Sequence, residues 1–391
     1  MITAFDYIVV GAGSAGCVLA ARLTEERGVS VAVLEAGDRD TATEILTPVT
    51  FAQLFKTSYD WDYASEPEPA LNGRRVYLPR GKGLGGSSSI NAMMYLRGNR
   101  LDYDDWAKDG ARGWSYDEML PYFIKAECNE RGAGPYHGSL GPLSVQEGRS
   151  NHPLTDRFLE AAKQAGHPWN DDFNGARQDG IGRFQVTQRN GLRCSAAMAY
   201  LHPAADRPNL QIFTAAQTNR ILFEGRRAVG VEIVRHGQAE TLRAKREVIL
   251  AAGAYNSPQL LMLSGIGIAA ELKALGIQAW HELPVGEELQ DHPGVPLCYL
   301  TDQPSLLSAG TEADIALFQN EGRGPLSSNI CEGGGFYRTD PNFPAPDVEL
   351  MSGPVMFYDE GLGPVTDHAY GLGPCILKPT SRGKVSLRSA R

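Results

Sequence analysis

Six residues near the N-terminus have the types and spacing needed to hold a phosphate-containing ligand. The segment from Gly11 to Gly16 (GAGSAG) fits the pattern G-x-G-x-x-G. Its first glycine allows a tight turn, its second lets the backbone approach a pyrophosphate, and its third lets a helix pack closely on a strand. Glu35, with Ala36 after it, stands where a carboxylate accepts hydrogen bonds from ribose hydroxyls. These residues predict a dinucleotide site with an unphosphorylated ribose; a glycine-rich turn without a ligand is the alternative.

Two longer tracts also contain small residues where backbone N–H groups can converge. Residues 79–91 read PRGKGLGGSSSIN, and a turn rich in glycine and serine allows several N–H groups to face one anion or ring edge. Residues 253–267 read GAYNSPQLLMLSGIG and follow a strand-like run, VILAA. Both tracts indicate backbone that lies close to a ligand.

Residues 81–104 (GKGLGGSSSINAMMYLRGNRLDYD) and 253–267 resemble the two signatures of the glucose–methanol–choline (GMC) flavoprotein oxidoreductase family. The segments YDWDY (59–63), RCSAA (193–197) and LQDHP (289–293) are similar to further family segments, so the resemblance extends over essentially the whole chain. It implies an FAD-dependent oxidoreductase that oxidises a primary or secondary alcohol by hydride transfer to flavin N5, like choline dehydrogenase. The resemblance leaves the electron acceptor open between O₂ and a quinone or other carrier.

The resemblance also implies which residues contact FAD. The first glycine segment would hold the pyrophosphate, Glu35 the adenosine ribose, and the tract around Asn91 the pyrophosphate and isoalloxazine. The predicted contacts are Gly11, Gly13, Ser14, Ala15, Gly16, Glu35, Ala36, Gly83, Gly86, Ser87, Asn91, Ala92, Met93, Met94, Thr218 (through its backbone, to adenine), Ala252 and Gly253. For at least one of the two methionines, core packing is an equal alternative. Some relatives attach FAD to a histidine just before the asparagine; Ile90 stands there in this chain, which predicts noncovalent FAD.

The catalytic histidine of the family, and the asparagine or histidine beside it, belong to a C-terminal segment with an H-P tract and an N-T-x-x-P tract. We find neither tract, so we expect the catalytic pair beyond Arg391 and predict no catalytic residue within the 391 residues. Two alternatives to the oxidoreductase therefore stay open. One is a hydroxynitrile lyase of the same family that carries FAD, and the other is a catalytically incomplete flavin-binding remnant.

The remaining titratable residues suggest structural roles. A histidine at a loop bend is the favoured interpretation of His292 over a general base. The pairs Asp104–Asp105 and Asp171–Asp172 are typical of solvated turns, and a carboxylate dyad is the weaker interpretation. The other histidines lack metal-ligand spacing, and the six cysteines are scattered without a C-x-x-C pair, so no metal site is predicted.

The elements that must position the first glycine segment are a strand at 5–10, a helix from about 14 to 27 and a strand at 29–35, which form a parallel β-α-β unit. Residues 36–112 are expected to be mostly extended chain. Ser115 and Glu118 predict the start of a helix, and further helices are expected at 152–166, 256–263 and 269–275. The remaining strands are expected at 210–214, 218–223, 228–234 and 247–251.

These elements predict an α/β protein (α+β overall). A Rossmann-type FAD-binding domain would comprise residues 1–150 and 192–298. A substrate domain built on an antiparallel sheet with flanking helices would comprise 151–191 and 299–391. The length, about 2.6 typical domains, is compatible with this division.

Composition excludes several classes of function. The net charge of −9 argues against nucleic acid as a partner, because binding a polyanion requires a basic surface. No run of about 18 apolar residues is present to predict an integral membrane segment, and residues 1–5 do not resemble a secretory signal. We therefore expect a cytoplasmic protein, with peripheral membrane association as an open alternative; the oligomeric state is not predicted.

Overall fold

The computed structural model describes residues 4–390. Residues 1–3 and Arg391 lie outside this range. The prediction about a secretory signal depends partly on residues 1–3, and the catalytic pair is expected beyond Arg391. Within it, the α-helices are α1 Ser14–Leu23, α2 Thr43–Leu46, α3 Arg100–Lys108, α4 Tyr116–Ala126, α5 Pro153–Gln164, α6 His202–Ala204, α7 Gly253–Leu263, α8 Ala269–Ala274 and α9 Glu312–Glu321.

The strands of the described residues are β1 Ala4–Val10, β2 Val31–Leu34, β3 Tyr63–Ala64, β4 Tyr77–Leu78, β5 Glu127–Asn129, β6 Leu143–Glu147, β7 Gly180–Arg183, β8 Gln185–Val186, β9 Gln188–Arg189, β10 Leu192–Arg193, β11 Leu210–Phe213, β12 Ala216–Glu224, β13 Arg227–Arg235, β14 Gln238–Leu250, β15 Ile266–Gly267, β16 His281–Glu282, β17 Leu297–Leu300, β18 Gly333–Tyr337, β19 Val348–Gly353 and β20 Ala369–Ile376. A π-helical turn, Ala197–Leu201, leads directly into α6.

A six-stranded mixed sheet carries the predicted dinucleotide unit. Its strand order is β11-β2-β1-β14-β13-β12. The first four strands are parallel to their neighbours, as the predicted β-α-β unit requires, and β14, β13 and β12 are antiparallel. The α/β fold class is therefore confirmed.

Alternate residues of the central strands enter two different cores, as the two-residue period of a strand requires. In β2, Val31 and Val33 pack in a cluster that includes Cys17 of α1. Ala32 and Leu34 pack in a second cluster on the other side of the strand. Strands buried on both faces explain the continuous apolar runs of the sequence.

A five-stranded antiparallel sheet has the strand order β17-β20-β19-β18-β7. Helix α5 packs on it, with Leu159 and Ala162 clustered against Ile181 of β7 and against Tyr337 of β18. The division of the chain into an FAD-binding and a substrate domain at the expected boundaries stays a prediction.

Several element boundaries differ from those expected. Helix α1 ends at Leu23, four residues earlier than expected, and β14 extends to Gln238, far before the expected start at 247. Helix α3 lies in a region expected to be extended. Its start could have been found, because Asn99 and Asp102 form a capping box in which each side chain serves the backbone of the other.

Candidate functional site

The turn between β1 and α1 contains two glycines that the protein's own packing requires. Gly11 has φ +99°, and a Cβ there would lie 2.6 Å from the carbonyl oxygen of Ala251, just after β14. A Cβ on Gly16 would lie 1.9 Å from the carbonyl oxygen of Gly11. Both positions exclude any larger side chain, because real Cβ atoms do not approach heavy atoms so closely.

Gly13 differs from its two neighbours because nothing in the protein crowds it. A Cβ there would meet only the Ala251 carbonyl oxygen and the Gly86 Cα, each at 3.9 Å, and its φ of −78° is accessible to any residue. Gly13 is the N-cap of α1, and no side chain among the described residues caps this helix. Helix α1 has ten residues, and Ser14 and Ala15 at its start are exposed. A phosphate group would need open space of this kind beside the N-terminus of a helix.

The second glycine tract lies directly on the first. Gly85 donates its backbone N–H to the Ala12 carbonyl oxygen over 2.8 Å. Gly86 has φ +53°, and a Cβ there would lie 2.7 Å from the Gly13 Cα. Residues more than 70 positions apart in the chain thus form one glycine-lined surface, with Ser87 in the short helical turn that follows Gly85.

Glu35 connects the two glycine tracts. One carboxylate oxygen accepts the backbone N–H of Ala12 over 2.9 Å, and the other accepts those of Gly37 over 2.9 Å and Gly83 over 3.0 Å. The side chain is buried, which raises the pKa of the carboxyl group, while the three N–H donors act in the opposite direction. A carboxylate has about four lone-pair positions, and these N–H groups occupy three of them.

Residues 91–94 leave the second tract in a tightly held conformation. The Asn91 side-chain oxygen accepts the backbone N–H of Met93 over 3.1 Å. Met93 is buried and has φ +54°, an uncommon conformation for a residue with a side chain. The Ala92 carbonyl oxygen accepts from Asn329, and Met94 packs against the cluster of Phe173, Phe184 and Phe336. Of the two methionines, Met93 is thus a core residue.

Thr218, Ala252 and Gly253 lie on two elements that begin near the glycine tracts. Strand β12 begins beside Glu35, whose backbone carbonyl accepts the N–H of Ala216 over 2.8 Å. Thr218 is buried, and its hydroxyl has no hydrogen-bond partner among the described residues. Ala252 is the N-cap of α7, and Gly253 has φ +83° with open space where a Cβ would stand.

The other residues weighed for chemistry lie elsewhere. His292 is exposed in the chain before β17, and Asp104 accepts the backbone N–H of Tyr116 over 3.0 Å. Asp171 is exposed, and Asp172 is half-buried and paired with His137 over 2.9 Å. Within residues 4–390, no group of three or more potential metal-binding side chains is present.

Residue Arg193 was missed as part of the site. It lies in the segment RCSAA (193–197), whose sequence predicts no role for the arginine, and its side chain donates to Asn91. The only signal in the sequence is an arginine at the start of a run of small residues that pack in the core, Cys194 to Ala197.

The residues present fit a dinucleotide cofactor. The packing of the protein does not require glycine at Gly13 or Gly253, since a Cβ at either position would meet no close protein atom. The start of α1 has no side-chain cap, and the Thr218 hydroxyl has no hydrogen-bond partner in the described chain. No helix within residues 4–390 has the length and apolar character required to cross a bilayer.

Comparison with known proteins gives concordant matches. Residues 5–294 match a family model described as GMC oxidoreductase. The human mitochondrial choline dehydrogenase is 45% identical over 404 residues, covering 99% of this chain and 67% of the relative. A Pseudomonas putida alcohol dehydrogenase [acceptor] is 42% identical, covering 99% and 72%. A structure of formate oxidase from Aspergillus oryzae RIB40, which concerns FAD modification, has a TM-score of 0.90 and 28% identity, covering 100% of this chain and 76% of that one.

Proposed function

The chain belongs to the GMC oxidoreductase family, and on this premise we propose that it oxidises a primary or secondary alcohol with noncovalently bound FAD. Members of this family are FAD-dependent enzymes that oxidise alcohol-type substrates, and FAD is the cofactor of this chain. FAD, when bound, supplies the redox chemistry by accepting a hydride at its N5 atom. The finer features, including the attachment of FAD, the contact residues, the alcohol and the acceptor, are our proposals.

The observation that carries the proposal is the convergence of three separate tracts on one glycine-lined surface. Gly85 donates to Ala12, and a Cβ on Gly11 would collide with Ala251 and Ala252, the two residues before the third tract. Backbone N–H groups and the start of α1 meet there, which suits the negatively charged pyrophosphate.

We propose that each predicted contact residue keeps its role towards FAD. The surface of glycines and helix N–H groups would bind the pyrophosphate, Glu35 the ribose, and the start of β12 the adenine. Residues on this surface and around it are Gly11, Gly13, Ser14, Ala15, Gly16, Glu35, Ala36, Gly83, Gly86, Ser87, Asn91, Ala92, Met93, Met94, Thr218, Ala252 and Gly253.

Noncovalent attachment is supported by the environment of Ile90. This residue is buried in a cluster with Ile45 and Leu54, and its side chain carries no nucleophilic atom. A covalent bond to the flavin from this position is therefore chemically impossible.

For the substrate, the names of the relatives suggest where to begin. Choline and simple primary alcohols are the first compounds to test, because one relative is a choline dehydrogenase and another an alcohol dehydrogenase. The acceptor is either O₂ or a quinone or other carrier. A cytoplasmic location stays a prediction, with peripheral membrane association as the open alternative.

The test is an anaerobic titration of the FAD-loaded protein with each alcohol. We expect loss of the visible flavin absorption band with at least one alcohol, followed by its return when O₂ or a quinone is admitted. A hydroxynitrile lyase would leave the band unchanged while cleaving a cyanohydrin. Bound flavin that no alcohol bleaches would refute the proposed oxidation by these 391 residues and would favour the catalytically incomplete flavin-binding remnant.

A further inference from the structure

Arg193 is a fully buried arginine beside the tract that precedes the predicted flavin contacts. It ends the short strand β10 and is 1% exposed. Its Nε donates to the Ile45 carbonyl oxygen over 2.7 Å, and its Nη1 donates to the Ser88 carbonyl oxygen over 3.1 Å and to Asn91 Oδ1 over 2.8 Å. Its Nη2 is buried without a partner among the described residues.

The guanidinium group has no carboxylate to balance its charge. Burial alone lowers the pKa of Arg193 to about 9, and none of its hydrogen bonds in the described chain goes to an acidic side chain. Burial of an unpaired charge is costly, whereas apolar residues fill such positions without that cost. An arginine at this position therefore indicates a role that a hydrophobic side chain cannot supply.

That role is visible at Asn91. The side-chain oxygen of Asn91 accepts two donors, the Nη1 of Arg193 over 2.8 Å and the backbone N–H of Met93 over 3.1 Å. These two bonds identify the oxygen as the atom of the Asn91 amide that faces the protein. The NH₂ group therefore points the other way, and Asn91 is an exposed residue. Arg193 thereby fixes the direction in which Asn91 can donate.

The same contact supports an uncommon backbone conformation. Met93 has φ +54° and is buried, so its conformation must be held by its surroundings. The bond from Met93 to Asn91 is one such restraint, and Thr187 supplies another by donating its N–H to the Met93 carbonyl oxygen over 2.8 Å. Arg193 is thus linked through Asn91 to the whole turn at 91–93.

We propose that Arg193 is a positioning residue for FAD, which acts by holding the Asn91 amide with its NH₂ group directed at the cofactor. The proposal rests on the proposed function, because it requires FAD at this tract. Two properties of arginine matter for this role: its planar group bonds to three acceptors at once, and burial does not readily neutralise it. Lysine keeps the charge but cannot make these bonds together.

The test is a double-mutant cycle on FAD affinity, measured by fluorescence titration of the protein freed of flavin. We expect Arg193→Lys and Asn91→Ala each to raise the dissociation constant of FAD about 10-fold, as loss of a hydrogen bond to a charged group predicts. Because Arg193 acts through Asn91, the double variant should be no weaker than the weaker single variant. Arg189→Lys, an exposed arginine of the same hairpin, is the matched control and should leave affinity unchanged.

The outcomes are distinct. Effects that multiply in the double variant, or an Arg193→Lys variant with wild-type affinity, overturn the proposal. If Arg193→Lys does not fold, Asn91→Asp decides, because it keeps an oxygen for Arg193 but loses the NH₂ donor; wild-type affinity in this variant also overturns the proposal. A wild-type chain that binds no FAD refutes the proposed function itself, and the Arg193 proposal with it.

Discussion

Replacement of Gly13 by alanine should weaken FAD binding without destabilising the flavin-free fold. The added Cβ meets no protein atom closer than 3.9 Å, and the backbone of Gly13 already has a φ that alanine adopts. The flavin-free protein should therefore change in stability by no more than about 1 kcal/mol, the scale of an N-cap change. The methyl group would, however, occupy the space into which we place the pyrophosphate.

The magnitude follows from overpacking. An extra methyl group in a filled site costs about 1–3 kcal/mol, which corresponds to a roughly 5- to 150-fold higher dissociation constant for FAD. Gly16→Ala should give the opposite pattern, because its Cβ would lie 1.9 Å from the Gly11 carbonyl oxygen and the flavin-free fold itself would be destabilised.

Two measurements check this prediction: urea unfolding of the flavin-free protein and fluorescence titration with FAD. Gly28→Ala serves as the control, because Gly28 is exposed and its added Cβ would approach only the Glu26 side chain, at 3.8 Å. A Gly13→Ala variant that binds FAD like the wild type would refute the placement of the pyrophosphate at Gly13. A variant that unfolds without FAD would instead contradict the open space described beside this residue.

Three further predictions concern buried or partly buried ionisable groups. Glu35→Gln should lower the stability of the flavin-free protein by about 1–3 kcal/mol, because an amide NH₂ would face backbone N–H donors; unchanged urea unfolding would contradict this. Hydrogen bonds to Asp172 and Glu127 raise the pKa of His137 from 6.5 to about 9, so its stabilisation is complete below pH 6.5 and is lost as pH rises through about 9. His137→Gln should thus cost about 1–2 kcal/mol, after allowance for solvent screening, near pH 6 and much less near pH 10 in the same assay. Burial raises the pKa of Glu349 from 4.5 to about 7, so the stability of the wild type falls as pH rises above 4.5. The Glu349→Gln variant should therefore be more stable than the wild type near pH 9, by up to about 3 kcal/mol. Equal pH profiles of the two proteins would refute this.

The part of the site formed by the first β-α-β unit was predictable from the sequence, because its conformation depends on residues that are close together in the chain. The roles of Gly11 and Gly16 follow from the turn and from close helix packing, and the spacing to Glu35 follows from one β-α-β unit. The bonds from Arg193 to Asn91 and to Ser88 were not predictable, since these residues are about 100 positions apart and the sequence contains no period or spacing that joins them.

Errors in the boundaries of elements have a similar origin. Strand β14 begins nine residues before its expected start, because residues 238–243 pair with β13 although most of them are exposed and two, Glu240 and Arg243, are charged. Such a strand is specified by its partner and not by its own hydrophobicity. Helix α3, in contrast, was missed although the capping box at Asn99 was present in the sequence.

Glu35 shows why the ribose interpretation of a motif carboxylate is incomplete. A buried carboxylate needs donors, and it takes them from Ala12 in the first glycine turn, from Gly37 just after β2 and from Gly83 in the second tract. These bonds draw together segments that are distant in the chain, so the surface proposed for the pyrophosphate is closed by the protein itself. A preformed site loses less conformational entropy when the cofactor binds. The acid that the spacing rule assigns to a ribose therefore also holds the two glycine tracts in the arrangement in which they can meet a phosphate.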